Sequence, residues 1–166
     1  MRHLMKFAML AVPLASLTLA AATGKISAAT VQESRAPSEA ADIEAWLKNY
    51  DAAFNAKDLD ALAAFYHPDV TIYEGGGVNN GWADYRDHHL GPELKEFENL
   101  EFAHRDLKVT VLGGQSAYAT ARYSLKAKMG ERDIDAEGLA TYVLVKGDNG
   151  WKIRHSHTSS RRRPSG

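Results

Sequence analysis

Residues 101–112, 116–128, 133–146 and 151–159 are four consecutive stretches of β character, and no helical segment comes between them. Each is rich in apolar–polar alternation, and glycine-containing turns separate them. The last of these turns, Gly147-Asp148-Asn149-Gly150, is a hairpin signal. Parallel neighbours would need a crossover of about a dozen residues or more, so these strands must run antiparallel. A doubly wound parallel fold is thereby excluded, and the meander needs a layer to cover one of its faces.

The covering layer precedes it. A helix begins near Pro37-Ser38, where Ser38 can cap the free backbone N–H groups and Glu39 and Asp42 suit the positive helix end. Ile43, Trp46, Leu47, Tyr50, Ala53 and Phe54 then form one apolar stripe at the helical period. A shorter helix opens at Asp58, carries Leu59, Leu62, Ala63 and Phe65, and stops at His67-Pro68 because the residue before proline is pushed out of the α region. Residues 70–74 read as a short strand, ended by Gly75-Gly76-Gly77 and an Asn79-Asn80-Gly81 loop. Residues 82–90 return to helical spacing before Gly91-Pro92, with a further turn up to Phe97. Helices gathered ahead of a meander predict an α+β fold, with the helices on one face of an antiparallel sheet.

At 166 residues the chain suits one domain with a real core, and a formal net charge of −1 argues against a nucleic-acid partner. Its first 29 residues read as an export signal. Arg2 and Lys6 start it, a run from Phe7 to Ala22 is almost wholly apolar, and Ser27-Ala28-Ala29 offers a small-residue cleavage site. A membrane span would need ~20 apolar residues, whereas Pro13 interrupts this run. The expected organisation is a signal peptide over 1–29, a linker over 30–36, a folded domain over 37–160 and a basic polar tail over 161–166. Cleavage would leave 17 Lys and Arg against 21 Asp and Glu, a charge of −4, in a periplasmic or secreted protein that no longer touches a membrane. The chain has no cysteine, so neither a disulfide nor a lipid-modified N-terminal cysteine is available to it.

The element order, together with Asn55-Ala56-Lys57-Asp58-Leu59-Asp60-Ala61-Leu62, His67-Pro68-Asp69-Val70 and the run Trp151-Lys152-Ile153-Arg154-His155-Ser156-His157-Thr158-Ser159, resembles the nuclear transport factor 2-like superfamily. Within it the likeness is to SnoaL-like and ketosteroid-isomerase-like proteins, over about residues 38–160. The resemblance implies a curved sheet wrapped on a long helix, forming a cone with a pocket at its open end. It also implies that the helix after the glycine run lines the pocket mouth, and that the sheet face opposite the core pairs with a second copy. Arg122, Lys126, Lys152 and Arg154, with Thr120 and Thr158, would make that homodimer face polar.

Strict alternation places Trp151, Ile153, His155, His157 and Ser159 on one face of the last strand, which the two apolar residues mark as core-facing. By the same parity Val70 and Ile72 turn Glu74 inward, where a carboxylate needs a partner. Trp82, Tyr85 and His89 share one side of the following helix. Glu74, His89 and His157 are thus the candidate catalytic residues, and Trp82, Tyr85, His155 and Ser159 the candidate pocket lining. Histidines and a glutamate so spaced offer a ligand set for zinc or iron, and structural or acid–base histidines are the favoured account of the pattern. No cofactor motif is legible, since the glycine run lacks the phosphate-loop spacing. The expected function is binding of a small molecule in a polar His/Glu-lined pocket. Acid–base catalysis of an isomerase, dehydratase or hydrolase type by Glu74 and the histidines is the alternative.

Overall fold

The computed structural model describes residues 38–162. The expected signal peptide and linker lie outside the described residues, as does the end of the basic tail. Helix α1 (Glu39–Asn55) starts where Ser38 accepts the Ala41 N–H, and it buries Ile43, Leu47, Tyr50 and Phe54. Trp46 and Ala53, from the same stripe, are only partly covered. Asp58 caps α2 (Leu59–Ala63) by accepting the N–H groups of Asp60 and Ala61. Strand β1 (Tyr66–Glu74) turns through Gly75 and Gly76 into β2 (Gly77–Asn80), so the expected asparagine loop is part of a hairpin. Then come α3 (Trp82–Tyr85), a π turn (Arg86–Leu90) and α4 (Gly91–Glu96). The long strands β3 (Phe97–Val111), β4 (Ser116–Met129), β5 (Arg132–Gly147) and β6 (Gly150–Arg162) complete the described chain. Strand β6 runs on through Arg161, whose guanidinium donates to Glu137, so the expected tail begins later than residue 161.

The helices pack on a curved six-stranded sheet of order β2-β1-β6-β5-β4-β3, an α+β cone. The meander β3 to β6 is antiparallel throughout, but β1 joins β6 in parallel, so the sheet is mixed where a wholly antiparallel one was expected. That parallel pair is reached through α3, the π turn, α4 and the whole meander, a connection long enough to return the chain in the same direction. Strand β3 is an edge, and helix α1 covers it with polar side chains. Asn55 exchanges two hydrogen bonds with the backbone of Phe102, and Asp51 accepts the His104 N–H at 2.9 Å. Lys57 donates to the Phe97 carbonyl. An edge satisfied in this way has fewer free groups with which to recruit a foreign strand.

Alternation in β6 breaks at one residue. Val143 of β5 pairs with His155, whereas Leu144 pairs with Ile153, so Arg154 is an extra, bulged residue. Its guanidinium donates to the Asp69 carbonyl, where β1 is also irregular against β6. A bulge advances the chain by one without advancing the partner, and every side chain beyond it changes face. Ile153 is inward and fully buried, and so is Ser156 at 4% exposure. Thr158 and Ser160 follow Ser156 inward. His155, His157 and Ser159 therefore lie on the outer face, contrary to the alternation drawn from the sequence.

Candidate functional site

Between the helices and the inner sheet face lies a cavity of about 200 Å³. Its walls are largely aromatic and aliphatic, with Phe54, Ile72, Leu90 and Phe102 among them. Its polar groups are the four phenols of Tyr50, Tyr66, Tyr85 and Tyr142, Glu74 at the end of β1 and, further along the lining, Glu93, Tyr123, Arg132, Ser156, Thr158 and Ser160. Burial pushes all four phenols above their usual range, and the Glu74 charge adds to this for Tyr66, Tyr85 and Tyr142. They keep their hydrogens at neutral pH, and the hydrogen bonds are set accordingly.

At the mouth, Tyr85 donates to Glu74 Oε2 at 3.1 Å. His89 Nε2 lies 4.0 Å from the same carboxylate oxygen and 3.6 Å from Glu93. Its Nδ1 is 2.8 Å from the Asn79 side-chain oxygen. The Asn79 amide nitrogen donates to Asp84, and Asp84 also accepts the Asn80 N–H. Those two bonds hold the Asp84 carboxyl below the usual range, and orient the amide so that His89 Nδ1–H donates to its oxygen. Nε2 is thereby aimed at the two glutamates, an ion pair whenever the ring is protonated. Burial pushes the Glu93 carboxyl up, His89 opposes the shift, and Glu74 adds to it. The π turn brings this about locally. The Gly91 N–H closes on the Arg86 carbonyl, and a Cβ at Gly91 would lie 2.4 Å from that oxygen.

Of the residues expected at the site, Glu74, Tyr85 and His89 meet at the cavity mouth. Trp82 stacks on Tyr66 at 4.8 Å, behind the lining. His155, His157 and Ser159 are on the other side of the sheet. There the Tyr73 ring stands against both histidines, at 5.0 and 6.0 Å, and Thr71 bonds His155 Nδ1 at 2.8 Å. The histidine pair and Glu74 are separated by the sheet itself, and the ligand set drawn from them does not assemble. Among the described residues no group of three or more His, Asp or Glu is placed to hold a metal ion.

The sequence reading missed the floor. His104 on β3 bonds Asp51 Oδ1 at 2.6 Å through Nδ1, and the Tyr142 hydroxyl at 2.7 Å through Nε2. Tyr50 and Tyr66 share a bond of 2.9 Å beside it. A signal existed, since His104 stands two residues from Phe102 in an alternating stretch and so shares its inward face.

Residues 43–162 match the SnoaL-like domain family, and the chain belongs to it. Solved structures agree with this. A candidate ketosteroid isomerase from Shewanella frigidimarina is 26% identical, covers 72% of this chain and 94% of its own, and superposes with a TM-score of 0.61. A nuclear transport factor 2-like superfamily protein from Salmonella enterica reaches 0.67 at 18% identity, over 75% of this chain and 92% of that one. A candidate calcium/calmodulin-dependent protein kinase II association domain from Xanthomonas campestris reaches 0.63 at 19% identity, over 76% and 89%. No curated protein matches the chain significantly.

Proposed function

We propose that this protein binds a small, mostly apolar molecule of about one ring, carrying oxygen groups, in the cavity between its helices and sheet. The observation behind this is a chamber of about 200 Å³ whose aromatic and aliphatic walls also present phenols, small hydroxyls, two carboxylates and one guanidinium. A dry apolar cavity of about 150 Å³ is known to hold benzene, so the space suits a substituted ring. Titration calorimetry with phenol, resorcinol and benzene tests it. Binding by the oxygenated rings should be lost when Ala136, on the wall, is changed to Phe to fill the chamber. Binding that survives Ala136→Phe unchanged, or no binding by any of the rings, would sink the reading.

Acid–base catalysis is a second reading, favoured by the bond from Tyr85 to Glu74 with His89 behind it. Glu74 is then the proton acceptor, and His89 and Tyr85 hold its carboxylate in place. Turnover of any bound compound that persisted in Glu74→Gln would remove Glu74 from that role.

The binding unit is proposed to be a homodimer joined through the outer sheet face. Tyr73, Tyr118, Leu139 and Val143 are 44, 39, 54 and 39% exposed there. This is a more apolar patch than the sequence suggested, because Thr158 has turned inward and Lys152 and Arg154 are engaged by the carbonyls of Ala64 and Asp69. Light scattering should give twice the chain mass, and Tyr73→Glu with Val143→Glu should halve it. A wild-type monomer at high micromolar concentration would end the proposal. Work outside the cytoplasm is proposed from the N-terminal segment. Mass spectrometry should find a mature start near Thr30, and an intact Met1 on a cytosolic protein would overturn it.

A further inference from the structure

We propose that Asp51 and His104 hold the Tyr142 hydroxyl as a hydrogen-bond acceptor toward the cavity, so that the site selects a ring bearing hydroxyl groups over one bearing a carbonyl or ethers. The inference rests on the cavity being the binding site and names the chemistry of what it takes.

The argument follows the hydrogens. The His104 side chain is 1% exposed and both its ring nitrogens are engaged. Asp51 is a carboxylate and can only accept, and its second oxygen takes the His104 backbone N–H at 2.9 Å. His104 Nδ1 therefore carries the hydrogen of that 2.6 Å bond. In the neutral ring Nε2 is then an acceptor, and the hydrogen between it and Tyr142 is the phenol's own. What Tyr142 shows the cavity is a lone pair. At the mouth the Tyr85 hydrogen is likewise used on Glu74 Oε2, which leaves Glu74 Oε1 as a second acceptor. Tyr50 and Tyr66 use one hydrogen on each other and keep one to donate.

Tyr142, Glu74 and the Tyr50–Tyr66 pair thus present two acceptors and one donor to the ligand, beside the Ser156, Thr158 and Ser160 hydroxyls and the Arg132 guanidinium elsewhere on the lining. A dihydroxylated ring satisfies all three, since each hydroxyl donates and its oxygen also accepts. A ketone or an ether offers no hydrogen and leaves the buried Tyr142 lone pair facing it with none to accept. Unpaired buried polar groups are the strongest means a site has of rejecting a near-isostere.

The test compares resorcinol, 1,3-dimethoxybenzene and acetophenone by titration calorimetry. Resorcinol should bind at least about tenfold more tightly than its dimethyl ether. His104→Leu should release the Tyr142 hydrogen, erase that advantage and improve acetophenone binding. Should His104→Leu not fold, Tyr142→Phe removes the acceptor and must erase the same preference. The nitrogen-15 spectrum of the unliganded protein adds a direct reading, in which His104 should show a protonated Nδ1 and a bare Nε2. A protonated Nε2 at pH 8, or equal affinities for resorcinol and its ether, would overturn this inference alone. Failure of all three compounds to bind would overturn the cavity reading beneath it.

Discussion

Deleting Ser156 is expected to destabilise the protein by at least about 3 kcal/mol, or to prevent its folding. With one residue fewer, either the bulge is absorbed and His155 takes the inward place of Ser156, or the bulge stays and His157 takes it. Either way a histidine ring replaces Ser156 against Ile72 and Tyr142, in a space that now holds one small hydroxyl side chain. Arg154→Ala keeps the residue count and loses only a partly exposed hydrogen bond to the Asp69 carbonyl, and should cost about 1 kcal/mol or less. Denaturant unfolding of the two variants separates the cases. A Ser156 deletion as stable as Arg154→Ala would show that the inner face accepts a histidine ring in place of that serine.

Gly138→Ala should lower stability by about 2–3 kcal/mol and weaken ring binding with it. A Cβ there would lie 2.1 Å from the Ser159 carbonyl oxygen and 2.6 Å from two atoms of the Tyr123 ring. The oxygen is backbone within the β5–β6 ladder and cannot yield without opening it. Tyr123 lies directly opposite on β4 and lines the cavity, so its displacement reaches the ligand space. Gly147→Ala, with nothing within 4 Å of its added Cβ, is the control and should stay within about 0.5 kcal/mol of wild type. Thermal melts of the pair decide. Equal melting temperatures would mean that the strands relax around the methyl group.

Helix starts, the meander and the α+β class were legible because each is written in local chemistry, whereas the second helix ends at Ala63 and leaves His67-Pro68, its expected stop, inside β1. Ser38 and Asp58 are caps, Ile43 to Phe54 is a stripe at the helical period, and the glycine turns sit where the strands reverse. Glu74 and Tyr85 were legible for the same reason. Parity holds along β1 from Val70 to Glu74, and helical phase holds over the few residues from Trp82 to His89.

Parity carried further along β6 failed, because the residue that breaks it bears no local mark. Arg154 is an ordinary strand residue in sequence, and it bulges because an irregular stretch of β1 lies beside it and offers the Asp69 carbonyl. Eighty-five positions separate those partners. The polar floor was hidden in the same way. Asp51 reads as a solvent residue on a helix and Tyr142 as one member of an alternating strand, and they are joined only through His104, 53 and 38 residues away respectively. The sequence by itself determined the elements, their order and the side of the sheet that needed covering, since these follow from backbone propensity and the period of apolar residues. Which polar groups share the cavity was decided only by the tertiary structure, because that depends on strand register across the sheet, where one extra residue moves a histidine from the cavity side to the outer face.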